Sequence, residues 1–143
     1  MSLCPIVNEA WFLAREAHAD QLDKAGRPYI EHVARVALAV DGDDEAEAVA
    51  WLHDVIEDCP ELATKVLLFP QRVVDAVLDL TRVKGVDDAG YYFRIRQNPL
   101  ARKVKLADIA DNSDEARLRR LDPATAARLR AKYAKAHAAL GVA

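Results

Sequence analysis

Residues 44–58 read DEAEAVAWLHDVIED. Acidic residues open the stretch, where a helix N-terminus favours them, and the preceding DGD supplies a break and a cap. With no glycine or proline inside, the spacing predicts one continuous helix over 44–58, stopped by Pro60. At ~100° per residue, His53, Asp54, Glu57 and Asp58 fall within an arc of about 140°, with Val49, Leu52, Val55 and Ile56 on the opposite side. Four ionisable groups on one face read most simply as the solvated side of an amphipathic helix. Other parts of the chain bear on whether they do chemistry.

The rest of the chain repeats at three and four residues, with abundant alanine and only five glycines. That periodicity predicts an all-α protein with no strand. Helices are expected at about 5–19, 30–40, 60–68, 71–83, 87–97, 99–113 and 123–140. Pro70, Gly85, Gly90, Asn98-Pro99 and Asp122-Pro123 punctuate them. No internal repeat or composition break divides the 143 residues, so one domain over 1–143 is expected.

The formal net charge of −3 supplies no basic field for nucleic acid, and no apolar run approaches the ~20 residues of a membrane span. Cys4 and Cys59 have no metal-site spacing, and no leader-like pattern opens the chain, so a reduced, cytoplasmic protein is expected. A monomer and a homo-oligomer both stay open. His18 and His137 read as structural or exposed, and Trp11, Trp51, Tyr91, Tyr92 and Phe93 as packing residues.

Two further segments suggest a site. In RPYIEHVARVALAV, His32 borders the stripe of Val33, Val36 and Val40. In VKLADIADN, Asp108 shares a stripe with Ala101 and Val104, with Asn112 one turn on. A carboxylate on a partly apolar stripe needs a partner, because burying it alone costs several kcal/mol. Lys105 could supply that partner as an ion pair, and so could a metal. Two imidazoles and two carboxylates from three helices, His32, His53, Asp54 and Asp108, suit Mn²⁺ or Fe²⁺, with Zn²⁺ an alternative. Such a cation acidifies water and polarises a phosphoryl oxygen, which points to hydrolysis of a phosphate ester or anhydride.

The ordered segments AHADQLDKAGRPYIEHVARV, AVAWLHDVIEDCPEL, VVDAVLDLTR and NPLARKVKLADIADN resemble the HD superfamily of metal-dependent phosphohydrolases, in the short stand-alone form of the RelA/SpoT-type hydrolase domain. The resemblance spans about residues 9–140. It implies an HD-domain helical bundle, with His32, His53, Asp54 and Asp108 as ligands of a Mn²⁺ cofactor and Glu57 and Asp58 as the acidic catalytic pair. Asn112 matches a substrate-facing position.

The implied substrate is a small nucleotide, guanosine tetraphosphate, losing its 3′-pyrophosphate. A phosphatase for NADPH or a nucleoside monophosphate is the alternative, as is a binding module without turnover. Lys24, Arg27, Tyr29 and Lys105 are further candidates for holding the substrate. Members that hydrolyse guanosine tetraphosphate often carry Arg-Lys where this chain has Asp23-Lys24. Asp23→Arg is therefore expected to improve nucleotide affinity.

Overall fold

Small and β-branched side chains at consecutive positions set the centre of the fold. The computed structural model describes residues 4–141. In α3 (Asp44–Leu52), Ala46, Ala48, Val49, Ala50 and Leu52 are all fully buried, so this helix is enclosed on most sides rather than amphipathic. It packs against α1 (Pro5–Ala17), α2 (Tyr29–Ala39), α6 (Gln71–Leu80) and α8 (Pro99–Asn112). Alanines let neighbouring helices approach it closely. Leu52→Ala should therefore lower the unfolding free energy by ~2–5 kcal/mol. Urea denaturation would read this, and a loss below ~1 kcal/mol would contradict a core centred on α3.

The expected single helix over 44–58 is interrupted. α3 ends at Leu52, the chain turns at His53 and Asp54, and a single helical turn, α4 (Val55–Asp58), follows. Asp54 lies at φ −111° and ψ 1°, away from helical values. The His53 ring is drawn inward, with Nδ1 2.6 Å from the Ala50 carbonyl oxygen. The common polar face therefore does not form: His53 is buried, while Glu57 and Asp58 are exposed.

A 3₁₀ turn (Pro60–Leu62), α5 (Ala63–Val66) and α7 (Asp88–Arg96) complete the middle of the chain. The Asn-Pro and Asp-Pro signals mark real starts. The Asn98 side chain accepts from the Leu100 and Ala101 amides ahead of α8, and Asp122 accepts from the Thr125 amide ahead of α10 (Pro123–Ala139). The four-residue α9 (Glu115–Leu118), capped by Asp114, was not among the expected helices. Among the described residues no strand forms, and an isolated Leu22–Pro28 bridge closes the α1–α2 loop. Gly26 turns that loop at φ 80°, a left-handed conformation that glycine adopts without steric cost. No helix of the described residues is long and apolar enough to cross a membrane.

Of the two readings open for His18, the structural one holds: it is buried, only 1% exposed, with Nδ1 2.7 Å from Gln21 Oε1. One packing expectation is corrected. Phe93 lies exposed on α7, because its neighbours Tyr91 and Tyr92 take the core side.

Candidate metal centre

α2, the α3–α4 turn and α8 bring four side chains together. One ligand-capable atom from each of His32, His53, Asp54 and Asp108 lies within 4.8 Å of all the others. His32 Nε2 is 2.9 Å from Asp108 Oδ1, and His53 Nε2 is 3.3 Å from the same oxygen and 3.1 Å from Asp54 Oδ2. The opposite ring nitrogens face groups that only accept. His53 Nδ1 meets the Ala50 carbonyl, and His32 Nδ1 lies 2.6 Å from Asp111 Oδ2. Both rings thus carry hydrogen on Nδ1 and direct Nε2 at the carboxylates. With Nε2 free of hydrogen on each ring, two nitrogen lone pairs and two carboxylates converging on one buried point fit a divalent cation in charge and in donor type.

The electrostatics follow from this convergence. Burial opposes charge on His53, but the Asp54 charge and the hydrogen bond to Asp108 outweigh it and hold its pKa well above the ordinary value. His32 is raised in the same way, its bonds to Asp108 and Asp111 exceeding the cost of burial. Burial would raise Asp108, yet Lys105 and the two histidines hold it well below the usual carboxylate range. Asp54 is likewise lowered, against burial, by His53. The cluster stabilises negative charge on its oxygens and draws positive charge to its centre.

Surrounding groups fix these oxygens. Tyr29 donates its hydroxyl to Asp54 Oδ2, Lys105 Nζ donates to Asp108 Oδ2 at 3.0 Å, and Asn112 Nδ2 donates to Asp108 Oδ1 at 3.2 Å. Lys105 thus pairs with Asp108, as the sequence allowed, and lines the same cavity as His53 and Asp54.

A cavity of about 190 Å³ opens on the cluster. His53, Asp54, Asp108 and Glu57 line it together with three cations: Arg82, Lys105 and Lys132. Burial, followed by the nearby charges of Lys24, Lys105 and Arg82, pulls the Lys132 pKa below its ordinary value. A second chamber of about 290 Å³ adjoins it. The two share Tyr29, Asn112 and Tyr133, and the second adds Lys24 with an apolar wall of Leu118, Leu121 and Leu129.

The acidic pair divides. Glu57 faces the cation-lined cavity and accepts a hydrogen bond from the Arg82 amide; burial first, with Asp54 nearby, keeps its pKa above the usual value. Asp58 lies outside that cavity, accepts from Gln21 Nε2 at 3.0 Å and sits 3.8 Å from His18 Nδ1. Arg27 lines neither chamber. It is exposed and forked onto Glu31 at 2.8 and 3.2 Å. Asp23 is not a free anion facing a ligand: its Oδ1 accepts from the Ala25 and Arg27 amides, both at 2.9 Å, and Oδ2 from Arg117 Nη2 at 3.3 Å. An arginine at position 23 would lose both amide bonds and meet Arg117, so the expected gain in affinity from Asp23→Arg is withdrawn.

Sequence reasoning did not single out Asp111, Arg35, Arg82, Arg117 or Lys132. Two of these had a signal: Arg35 and Asp111 stand three residues after His32 and Asp108, on the same helical faces.

Residues 10–137 match the protein family described as HD domain. A guanosine-3′,5′-bis(diphosphate) 3′-pyrophosphohydrolase of Haemophilus influenzae is 37% identical over 92 residues, 59% of this chain and 12% of that protein. The protein of the same name in Vibrio cholerae is 34% identical over 115 residues, 73% of this chain and 15% of its own length. The chain thus spans less than a sixth of either relative. A solved structure described as a metazoan ortholog of SpoT that hydrolyzes ppGpp superposes with a TM-score of 0.77 at 23% identity, covering 98% of this chain and 88% of that one. At that identity the superposition establishes the fold.

Proposed function

Since this chain belongs to the HD-domain family, we propose that it acts as a single-domain, Mn²⁺-dependent phosphohydrolase that converts guanosine tetraphosphate and water to GDP and pyrophosphate. The observation that carries this reading is the shared cavity. His53, Asp54 and Asp108 of the cluster and the cations Arg82, Lys105 and Lys132 line the same space, which adjoins an apolar chamber large enough for part of a nucleoside. The names of the bacterial relatives support this substrate.

In this account His32, His53, Asp54 and Asp108 hold the cation, with Fe²⁺ or Zn²⁺ as alternatives to Mn²⁺. A cation held there would acidify water and draw electron density from a phosphoryl oxygen. Arg82, Lys105 and Lys132 bind phosphate oxygens and offset the charge that grows there during bond cleavage. Glu57, on the same cavity, transfers a proton at its carboxylate. Asn112 steadies Asp108 and reaches the junction of the two chambers. Tyr29 orients Asp54 and walls both chambers, Lys24 meets the nucleotide in the second, and Asp58 holds the α1–α2 loop through Gln21.

Lys132→Ala removes a phosphate contact without touching the cluster, so it should raise KM for guanosine tetraphosphate by ~10-fold, the scale of one charge-assisted hydrogen bond. Metal content should be unchanged. Steady-state kinetics would check this, and an unaltered KM would remove Lys132 from the phosphate site. The substrate assignment is tested by incubating the purified protein and Mn²⁺ with guanosine tetraphosphate, NADPH and nucleoside monophosphates, then resolving pyrophosphate from orthophosphate. Pyrophosphate from guanosine tetraphosphate is the expected product. Turnover restricted to orthophosphate release from the other substrates would overturn the assignment.

A further inference from the structure

Behind His32 lies a chain of charges that contributes no ligand to the cluster. Asp111 Oδ2 lies 2.6 Å from His32 Nδ1 and also accepts from Arg117 Nη1 at 2.6 Å, while Arg35 Nε donates to Asp111 Oδ1 at 2.7 Å. The other arm of Arg117 donates to Asp23 Oδ2. The Asp111, Arg117 and Asp23 side chains are 12%, 21% and 9% exposed. A network this sheltered is less screened than exposed surface pairs, whose contribution is usually small. Its members come from four places: the α1–α2 loop, α2, α8 and α9.

We propose that Asp111 is a positioning residue for the metal centre, and that Arg117 joins it to Asp23 so that the α1–α2 loop and His32 move as one unit. This rests on the reading of His32 as a metal ligand. A carboxylate held by two guanidinium groups is acceptor-only, so at 2.6 Å it requires hydrogen on Nδ1 and leaves Nε2 facing the cluster. The ring is gripped from behind as well as oriented. Arg117 cannot follow a shift of the loop without disturbing Asp111, because its two arms are engaged on Asp23 and Asp111. Asp23 also ties down the backbone of the loop at Ala25 and Arg27. That loop contributes Gln21 to Ala25 to the wall of the second chamber. A ligand that moves the wall would change cation affinity, and by linkage the cation would change that ligand's affinity by the same factor.

The test uses the whole chain and two readouts. In metal-free protein, titrated to a pH at which the His32 ring is neutral, the ring nitrogen chemical shifts of His32 report which nitrogen keeps its one hydrogen. In a chelator competition titration, Mn²⁺ affinity is measured directly. Asp111→Ala should mix the His32 tautomers and weaken Mn²⁺ binding by ~10–100-fold, the usual effect of removing a partner of a ligating histidine. Asp111→Asn keeps an acceptor and should restore the Nδ1–H form with part of the affinity, which guards against a folding defect in the alanine variant. Asp23→Asn keeps an acceptor for the loop amides but loses the charge on Arg117, and should weaken Mn²⁺ binding by ~5-fold or more. Native His32 shifts and Mn²⁺ affinity in Asp111→Ala would overturn the positioning role. Unchanged affinity in Asp23→Asn would overturn the link to the loop. If the wild-type chain bound no Mn²⁺, the metal assignment would fail, whereas the metal-free nitrogen shifts would still report on the grip of Asp111.

Discussion

Asp54→Asn is expected to abolish stoichiometric Mn²⁺ retention while leaving the helical fold in place. The substitution keeps the size of the side chain and an oxygen that can accept from Tyr29, so the α3–α4 turn retains its packing. It removes one of the two negative charges that, with two neutral imidazoles, balance a divalent cation at the cluster. The loss should exceed the ~10–100-fold typical of groups that only support a ligand. Dialysis against Mn²⁺ followed by elemental analysis would measure occupancy, and circular dichroism would confirm the helices. Full occupancy in a folded Asp54→Asn protein would remove this residue from the ligand set.

Glu57→Gln should lower hydrolysis by ~10²–10⁴-fold, the range for losing a positioned general acid or base, with metal content almost unchanged. Glutamine can still accept from the Arg82 amide, so the side chain keeps its place, but it cannot exchange a proton. Asp58→Asn should cost far less, because Asp58 is engaged with Gln21 outside the cation-lined cavity. Rates must be compared at saturating Mn²⁺ so that weakened binding is not mistaken for lost chemistry. Equal losses from the two substitutions would show that both carboxylates serve the reaction, as the adjacent pair first suggested. Wild-type rates from Glu57→Gln would make it an ordinary exposed side chain.

The contrast between these residues marks how far the sequence can be read. The helical periods and the Asn-Pro and Asp-Pro starts are local signals, and they placed most helices to within a few residues. His32 and Asp108 could be singled out because each borders or shares a largely apolar helical stripe, a conflict that needs a physical partner. His53 and Asp54, by contrast, read as a solvated face until the resemblance of their segment to the HD superfamily set them beside the other two. The turn at His53 and Asp54 had no local signal: no glycine or proline interrupts 44–58, and inward packing of the His53 ring overrides helical propensity there. That override brings Glu57 to the cation-lined cavity and leaves Asp58 outside it, although both border a depression beside the end of α1. Arg117 and Asp23 are 94 residues apart, and their pairing depends on how α9 docks against the α1–α2 loop. Arg35 and Asp111 were closer to legible, since each stands three residues beyond a candidate ligand.

The most direct measurement is phosphorus NMR of the purified chain with guanosine tetraphosphate while Mn²⁺ is titrated from full chelation to saturation. The account predicts that pyrophosphate and GDP appear together, at a rate that tracks metal occupancy and vanishes in Asp54→Asn. An unchanged substrate spectrum at saturating Mn²⁺, or equal turnover under full chelation, would contradict it.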